Sequence, residues 1–261
     1  MHDPVANGSD VSDIERTDDH VKPYVHEGLD SKSMHFSIGE IQSRMQILRP
    51  DVLELEYTRT MMGFLMFAPA PERLLMIGLG GGSLAKFCRR HVPQASMLVV
   101  EINPHVIALR DAFSVPPDDA CFQVVEADGA RFVRETERRF DVLMVDAFDA
   151  QGMPAALGSR RFYDDCLEVL RPGGLLVVNL HAGHLHFPVY LERIRCSFGA
   201  NVLRVDDKDG SNSVIFACKG NRLQRASAGP LRRPATLAAD AWEQLQGAYS
   251  RVAGALQTAA R

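Results

Sequence analysis

Five short, near-continuous apolar runs alternate with segments of helix length, and no other feature constrains the fold of this chain as much. The runs are Leu74-Leu75-Met76-Ile77, Met97-Leu98-Val99-Val100, Phe122-Gln123-Val124-Val125, Val142-Leu143-Met144-Val145 and Leu175-Leu176-Val177-Val178. A strand that is apolar at successive positions must be covered on both faces, the condition of parallel strands joined by crossover helices. Residues 83–91, 104–113, 130–137, 159–170 and 187–198 supply those crossovers. The expected architecture is therefore a doubly wound α/β sheet.

Charge and cysteine usage narrow the class of partner. The 261 residues carry 29 Lys plus Arg against 33 Asp plus Glu, a net charge of −4, which offers no concentrated positive field for nucleic acid. A small-molecule partner is expected. Five cysteines, Cys88, Cys121, Cys166, Cys196 and Cys218, show no C-x-x-C pairing and sit mostly in apolar stretches, which suits reduced thiols and no metal. No basic-then-apolar leader and no apolar run near the ~20 residues of a bilayer span is present. A cytoplasmic protein without membrane association is expected.

The chain divides by composition. Residues 1–21 read as a flexible acidic tail, with Asp3, Asp10, Asp13, Glu15, Asp18 and Asp19 and few large apolar side chains. Residues 22–50, with Tyr24-Val25-His26-Glu27 and Met34-His35-Phe36-Ser37-Ile38, read as a small β-hairpin cap. Helical spacing of Leu55, Met62, Leu65 and Met66 predicts a helix over 54–67, ended by Pro69 and Pro71. Residues 51–220 hold the α/β domain. Residues 221–261 form an Arg- and Ala-rich extension whose pattern is compatible with a helix over 235–256, with Arg222, Arg225, Arg232 and Arg233 read as a solvated linker.

The end of the sheet differs from its start. Val202-Leu203-Arg204-Val205 and Val214-Ile215-Phe216-Ala217 are separated by a turn-rich spacer too short for a crossover helix, so they should form an antiparallel hairpin. A mostly parallel, seven-stranded sheet finished in this way resembles the S-adenosylmethionine-dependent methyltransferase type of Rossmann-like fold.

The chemistry-bearing residues fall at strand ends. Gly78-Leu79-Gly80-Gly81-Gly82-Ser83 follows the first run and opens a helix, so bare backbone lets a ligand approach. Glu101 ends the second run, 19 residues beyond Gly82, where a carboxylate accepts hydrogen bonds from a ribose; alone, the pair also fits a tight turn plus a solvated Glu. Asp128 with Gly129 ends the third run, positioned either for an adenine amino group or as a helix N-cap, two roles that can coexist. Asp146-Ala147-Phe148-Asp149 ends the fourth and brings two carboxylates to the crevice, either as loop caps or as partners of a cationic substrate. If that substrate is an alkylamine of pKa ~10.4, its neutral, nucleophilic form costs about 4 to 5 kcal/mol at pH 7, and a carboxylate base would have to manage that deprotonation. His181, His184 and His186 match no metal-ligand spacing and read as loop histidines lining or bordering the crevice.

Taken in order, Ile77 to Ser83, Val100-Glu101-Ile102-Asn103, Ala127-Asp128-Gly129, Asp146 to Asp149, Phe162-Tyr163 and Leu170-Arg171-Pro172-Gly173-Gly174 resemble the spermidine synthase family of polyamine aminopropyltransferases. Ile41-Gln42-Ser43 and Tyr57 resemble the Gln and Tyr that border the family's nucleoside and amine pockets. The resemblance implies decarboxylated S-adenosylmethionine as donor, a diamine such as putrescine as acceptor, methylthioadenosine as product, and a homodimer. It also implies that Gln42, Gly78, Gly80, Gly81, Gly82, Glu101, Asp128 and Gly129 bind the nucleoside. Asp146 would be the base, and Asp149 and Tyr57 would hold the amine. The family's glycine loop usually carries an Asp where this chain has Gly81, and Ala150 replaces the usual Pro. The loss at Gly81 leaves two alternatives standing, a methyltransferase using intact S-adenosylmethionine and a non-catalytic nucleoside-binding protein.

Overall fold

The computed structural model describes residues 20–37, 41–148, 152–226 and 232–259. Most of the acidic segment 1–21 therefore lies outside the described residues. The N-terminal part is a three-stranded antiparallel sheet, β1 (Tyr24–Glu27), β2 (Ser31–His35) and β3 (Ser43–Gln46), rather than the expected hairpin. The third strand is recruited because Met45 alternates with exposed Arg44 and buries, with Met34 of the central strand, into the main hydrophobic core. The segment read as one helix over 54–67 is a short helix α1 (Glu56–Met61) that tightens into a 3₁₀ turn over Met62–Met66. The Phe67 N–H then donates to the Phe64 carbonyl, the tighter bonding common at helix ends, before Pro69 stops the pattern.

From there strands and helices alternate as β4 (Arg73–Ile77), α2 (Ser83–His91), β5 (Ser96–Glu101), α3 (Pro104–Ala108), β6 (Phe122–Glu126), α4 (Gly129–Glu135), β7 (Phe140–Val145), α5 (Arg160–Val169), β8 (Leu170–His181), α6 (Phe187–Phe198), β9 (Val202–Asp206) and β10 (Asn212–Cys218). The helix starts have local causes. Asn103, Asp128 and Ser159 each accept a hydrogen bond from a first-turn N–H, capping α3, α4 and α5. Helix α3 ends earlier than the spacing suggests, because the chain passes into turns that close at Ser114 with φ of 54°.

The seven strands lie in the order β6-β5-β4-β7-β8-β10-β9. Strands β4 to β8 are parallel, and β10 runs antiparallel to both β8 and β9. Each apolar run feeds two cores at once: Leu74 and Met76 face one cluster, Leu75 and Ile77 the other. This two-sided burial is why the runs are continuous rather than alternating. The winding reverses between the adjacent central strands β4 and β7, and the crevice outside their carboxyl ends is where ligands of such sheets bind.

In the C-terminal extension the four arginines Arg222, Arg225, Arg232 and Arg233 are exposed, and the segment beyond them is helical and packed. After the short helix α7 (Arg222–Arg225), helix α8 (Ala239–Ala259) buries Leu245, Tyr249, Val252 and Leu256 in the main core. Arg251 pairs with Glu56 at 2.7 Å and donates to the Thr60 hydroxyl at 2.8 Å, so α8 grips α1. Arg222 donates to the Phe67 carbonyl at 2.9 Å. Among the described residues no helix is long and apolar enough to cross a membrane.

Candidate active site

The site is built on the contact between the ends of β4 and β7. The Asp146 N–H donates to the Ile77 carbonyl at 3.0 Å and the Gly78 N–H to the Val100 carbonyl at 2.8 Å. Gly78 has φ of +92°, and a Cβ there would lie 2.2 Å from the Asp146 carbonyl oxygen. No larger residue allows this approach, so the glycine brings the loop and the acid to one point. A cavity of about 510 Å³ opens there, lined by Gly78, Gly80, Glu101 and Asp146 together with Gln42, Ser43 and Tyr57.

Glu101 is buried at the end of β5. Its Oε2 accepts from the Leu79 N–H at 2.8 Å and its Oε1 from the Asn103 N–H at 2.9 Å. Burial pushes its carboxyl above the ordinary value, against the opposing pull of these backbone donors. The Ile102 N–H also acts on this carboxylate, and of its roughly four acceptor sites one is left for a hydroxyl of a cavity ligand. The residues present thus fit an adenosyl ribose beside the bare glycine backbone.

Asp146 sits deep in the fold, with its side chain open to the cavity. Burial pushes its carboxyl up to about 6, while hydrogen bonds from Asn179 and Tyr57 pull it down. The Asn179 amide nitrogen donates to Asp146 Oδ1 at 3.0 Å. The Tyr57 hydroxyl is held well above its usual titration range, first by burial and then by the negative charge of Asp146. This makes the tyrosine a fixed donor and the aspartate a carboxylate poised to exchange a proton near neutrality.

Gln42 and Asp128 line the same cavity, as does Gly129. Asp128 caps α4, its Oδ1 accepting from the Arg131 N–H at 2.8 Å, and it keeps its other oxygen for a ligand. Gly81 and Gly82 are placed differently. A Cβ on Gly81 would meet Ser43 Oγ at 2.5 Å and Phe113 Cδ1 at 2.8 Å, and one on Gly82 would meet Val115 Cγ2 at 2.4 Å. Their side-chain directions are filled by protein, and Gly81 offers no space for an acid. Asp149 lies outside the described residues.

Asn179 was not legible as a site residue, yet it is the polar interruption of the apolar run of β8, a signal present in Val178-Asn179-Leu180. Ser43, whose hydroxyl neighbours Gly81, stood in the sequence only as the residue beside Gln42, with no role of its own. His181 lines the cavity and packs on Phe148 with ring centroids 4.4 Å apart. His184 and His186 instead cluster with Tyr190. Among the described residues no group of three or more His, Cys, Asp or Glu is arranged to hold a metal ion.

Comparison with known proteins identifies the family and the fold. The profile of the spermine/spermidine synthase domain matches residues 54–194. A polyamine aminopropyltransferase of Chromobacterium violaceum is 37% identical over 187 residues, covering 71% of this chain and 72% of the relative. A probable spermidine synthase from Corynebacterium glutamicum superposes with a TM-score of 0.67 at 18% identity, covering 86% of this chain and 84% of that one. Human methyltransferase-like protein 13 superposes with a TM-score of 0.58 at 21% identity, over 77% of this chain and 93% of that one. At such identities the two superpositions speak to the Rossmann-like fold alone. The sequence matches go further, spanning the glycine loop, Glu101, Asp128 and Asp146 together, and on them the chain belongs to the spermine/spermidine synthase family.

Proposed function

We propose that the protein transfers an aminopropyl group from decarboxylated S-adenosylmethionine to a diamine such as putrescine. The observation that carries this reading is Asp146, a carboxylate raised to about 6 and set in the same cavity as Glu101. Glu101 accepts from the ribose with the acceptor capacity its backbone donors leave free. Asp128 takes the adenine amino group, and Gln42 closes over the nucleoside. The diamine enters as a cation, attracted by Asp146, with Asp149 assigned to the amine by the family resemblance.

The amine loses its proton to Asp146, a transfer that costs about 6 kcal/mol between a free alkylamine of pKa ~10.4 and a carboxyl near 6. Its lone pair attacks the propyl carbon bonded to the sulfonium. A C–N bond forms as the C–S bond breaks, and the electron pair stays on sulfur, so methylthioadenosine leaves as a neutral thioether. Holding both reactants in one cavity contributes through orientation, and Asp146 contributes as general base.

A specific observation favours a second reading. The space beside Gly81 is taken by Ser43, so no acid from the loop repels a carboxylate on the donor's tail. A methyltransferase using intact S-adenosylmethionine is consistent with that neutral wall. Mass spectrometry of products after incubation with each donor and a mixture of diamines separates the two. Aminopropylated amine with methylthioadenosine supports the first, and a methylated product with S-adenosylhomocysteine replaces it with the second.

A further inference from the structure

Beyond Asp146, two amide side chains sit on one face of the sheet at the wall of the cavity. Asn179 on β8 pairs in register with Val214 on β10, and His181 pairs with Asn212, so Asn179 and Asn212 are diagonal neighbours on adjacent strands. Both line the cavity. The Oδ1 atom of each is closed off from bulk water and has no hydrogen-bond partner among the described residues. A buried acceptor left unpaired costs about 1 to 3 kcal/mol.

Partners fix which way each amide points. The Asn179 nitrogen faces Asp146, a carboxylate that can only accept, so its oxygen must be the unpaired atom. At Asn212 the nitrogen donates to Ser211 Oγ at 3.1 Å, and the single Ser211 hydroxyl proton is donated to Asp209 Oδ1 at 2.8 Å. Ser211 has no proton left for Asn212, so the amide nitrogen is held against it and the oxygen is left over. The Ser211 N–H and then its hydroxyl, both donating to Asp209, hold that carboxyl below its ordinary value and anchor the relay in the β9–β10 turn. Beside Tyr57 and the amide nitrogens, whose donors are turned to Asp146 and Ser211, this part of the wall offers the Asp146 carboxylate and two amide oxygens as acceptors. The ligand group that satisfies such a wall carries several N–H donors and no acceptor, as a primary ammonium does.

We propose that Asn212, diagonal to Asn179, is a specificity-determining residue that accepts an N–H of a primary ammonium and so selects unsubstituted amines over N-alkylated ones. Both oxygens are closed off in the described conformation, so contact with the ligand takes a rotation about χ2, a soft torsion for Asn, that loosens the present bond of the amide nitrogen. Ser211 acts as a positioning residue, because it orients the Asn212 amide without touching the amine. The inference rests on reading the cavity as an amine site and holds whether or not the amine is aminopropylated.

The test is calorimetric binding to the full chain, saturated with methylthioadenosine, of 1,4-diaminobutane and of its N,N,N′,N′-tetramethyl derivative. The wild type is expected to prefer the primary diamine. Asn212→Leu should reduce that preference about tenfold, a difference of about 1.4 kcal/mol. Asn212→Asp keeps an acceptor and should retain the preference, and Ser211→Ala should weaken it less than Asn212→Leu. Methylthioadenosine affinity should be unchanged in all three variants, which excludes misfolding. An unchanged preference in Asn212→Leu, or a wild type that binds neither amine, overturns the inference. Diamine binding that depends on Asn212 without aminopropylated product would instead overturn only the proposed reaction.

Discussion

The Tyr57 hydroxyl donates to the Asp146 carboxylate, tying the helix that precedes the sheet to the end of its fourth parallel strand. That bond lowers the proton affinity of a group that burial raises, and the balance leaves Asp146 near 6. Below that value the base is protonated and cannot take the amine's proton. The acid limb of kcat/KM should therefore fall near pH 6 and disappear with the activity in Asp146→Asn, while methylthioadenosine affinity persists. A full-rate Asp146→Asn enzyme would remove the carboxylate from the mechanism.

Tyr57→Phe deletes one of the two hydrogen bonds that pull Asp146 down. The acid limb should move to higher pH. The loss of rate at pH 7 should then shrink markedly by pH 8.5, a pattern that a purely steric role for the ring does not produce. The pH profiles of variant and wild type, recorded side by side, decide this.

Glu101→Gln leaves one oxygen where two now accept from Leu79 and Asn103. Hydrogen bonds to a charged acceptor are worth about 1.5 to 3 kcal/mol, so methylthioadenosine affinity should drop roughly ten- to hundredfold. Calorimetry reads this directly, and equal affinity in the variant would exclude Glu101 as the ribose acceptor.

Gly81→Asp should destabilise the fold by about 1 to 3 kcal/mol, since even its Cβ meets Ser43 and Phe113. The combination with Ser43→Gly should restore part of that stability in urea unfolding. The double variant should also favour decarboxylated over intact S-adenosylmethionine relative to the wild type, because the new acid repels the carboxylate. An unaltered ratio of the two affinities would show that the donor's tail lies elsewhere.

Asp207 is buried at the end of β9, and burial together with Glu56 pushes it up to about 6. A carboxyl whose folded value exceeds its unfolded value of about 4 contributes its stability below pH 4 and loses it as pH rises through 6. Asp207→Asn should therefore be more stable than the wild type at pH 8, by on the order of 1–3 kcal/mol, and show no such advantage at pH 4. Urea titrations at the two pH values measure the difference.

The alternation of apolar runs and helices determined the parallel sheet, because two-sided burial writes itself into every position of a strand. The glycine loop and Glu101, Asp128 and Asp146 at strand ends were legible for the same reason: strand order and chain direction send them to one sheet edge. Local sequence could not announce the third strand of the N-terminal sheet, the grip of α8 on α1, or the use of Asn179 and Asn212. Each depends on a partner far along the chain: Met45 reaches the main core, Arg251 meets Glu56 and Thr60, and Asn212 lies diagonally across from Asn179. Periodicity records which faces are buried, whereas the identity of the neighbour, and hence the spare acceptor or filled space beside a residue such as Gly81, arises only when distant segments close on one another.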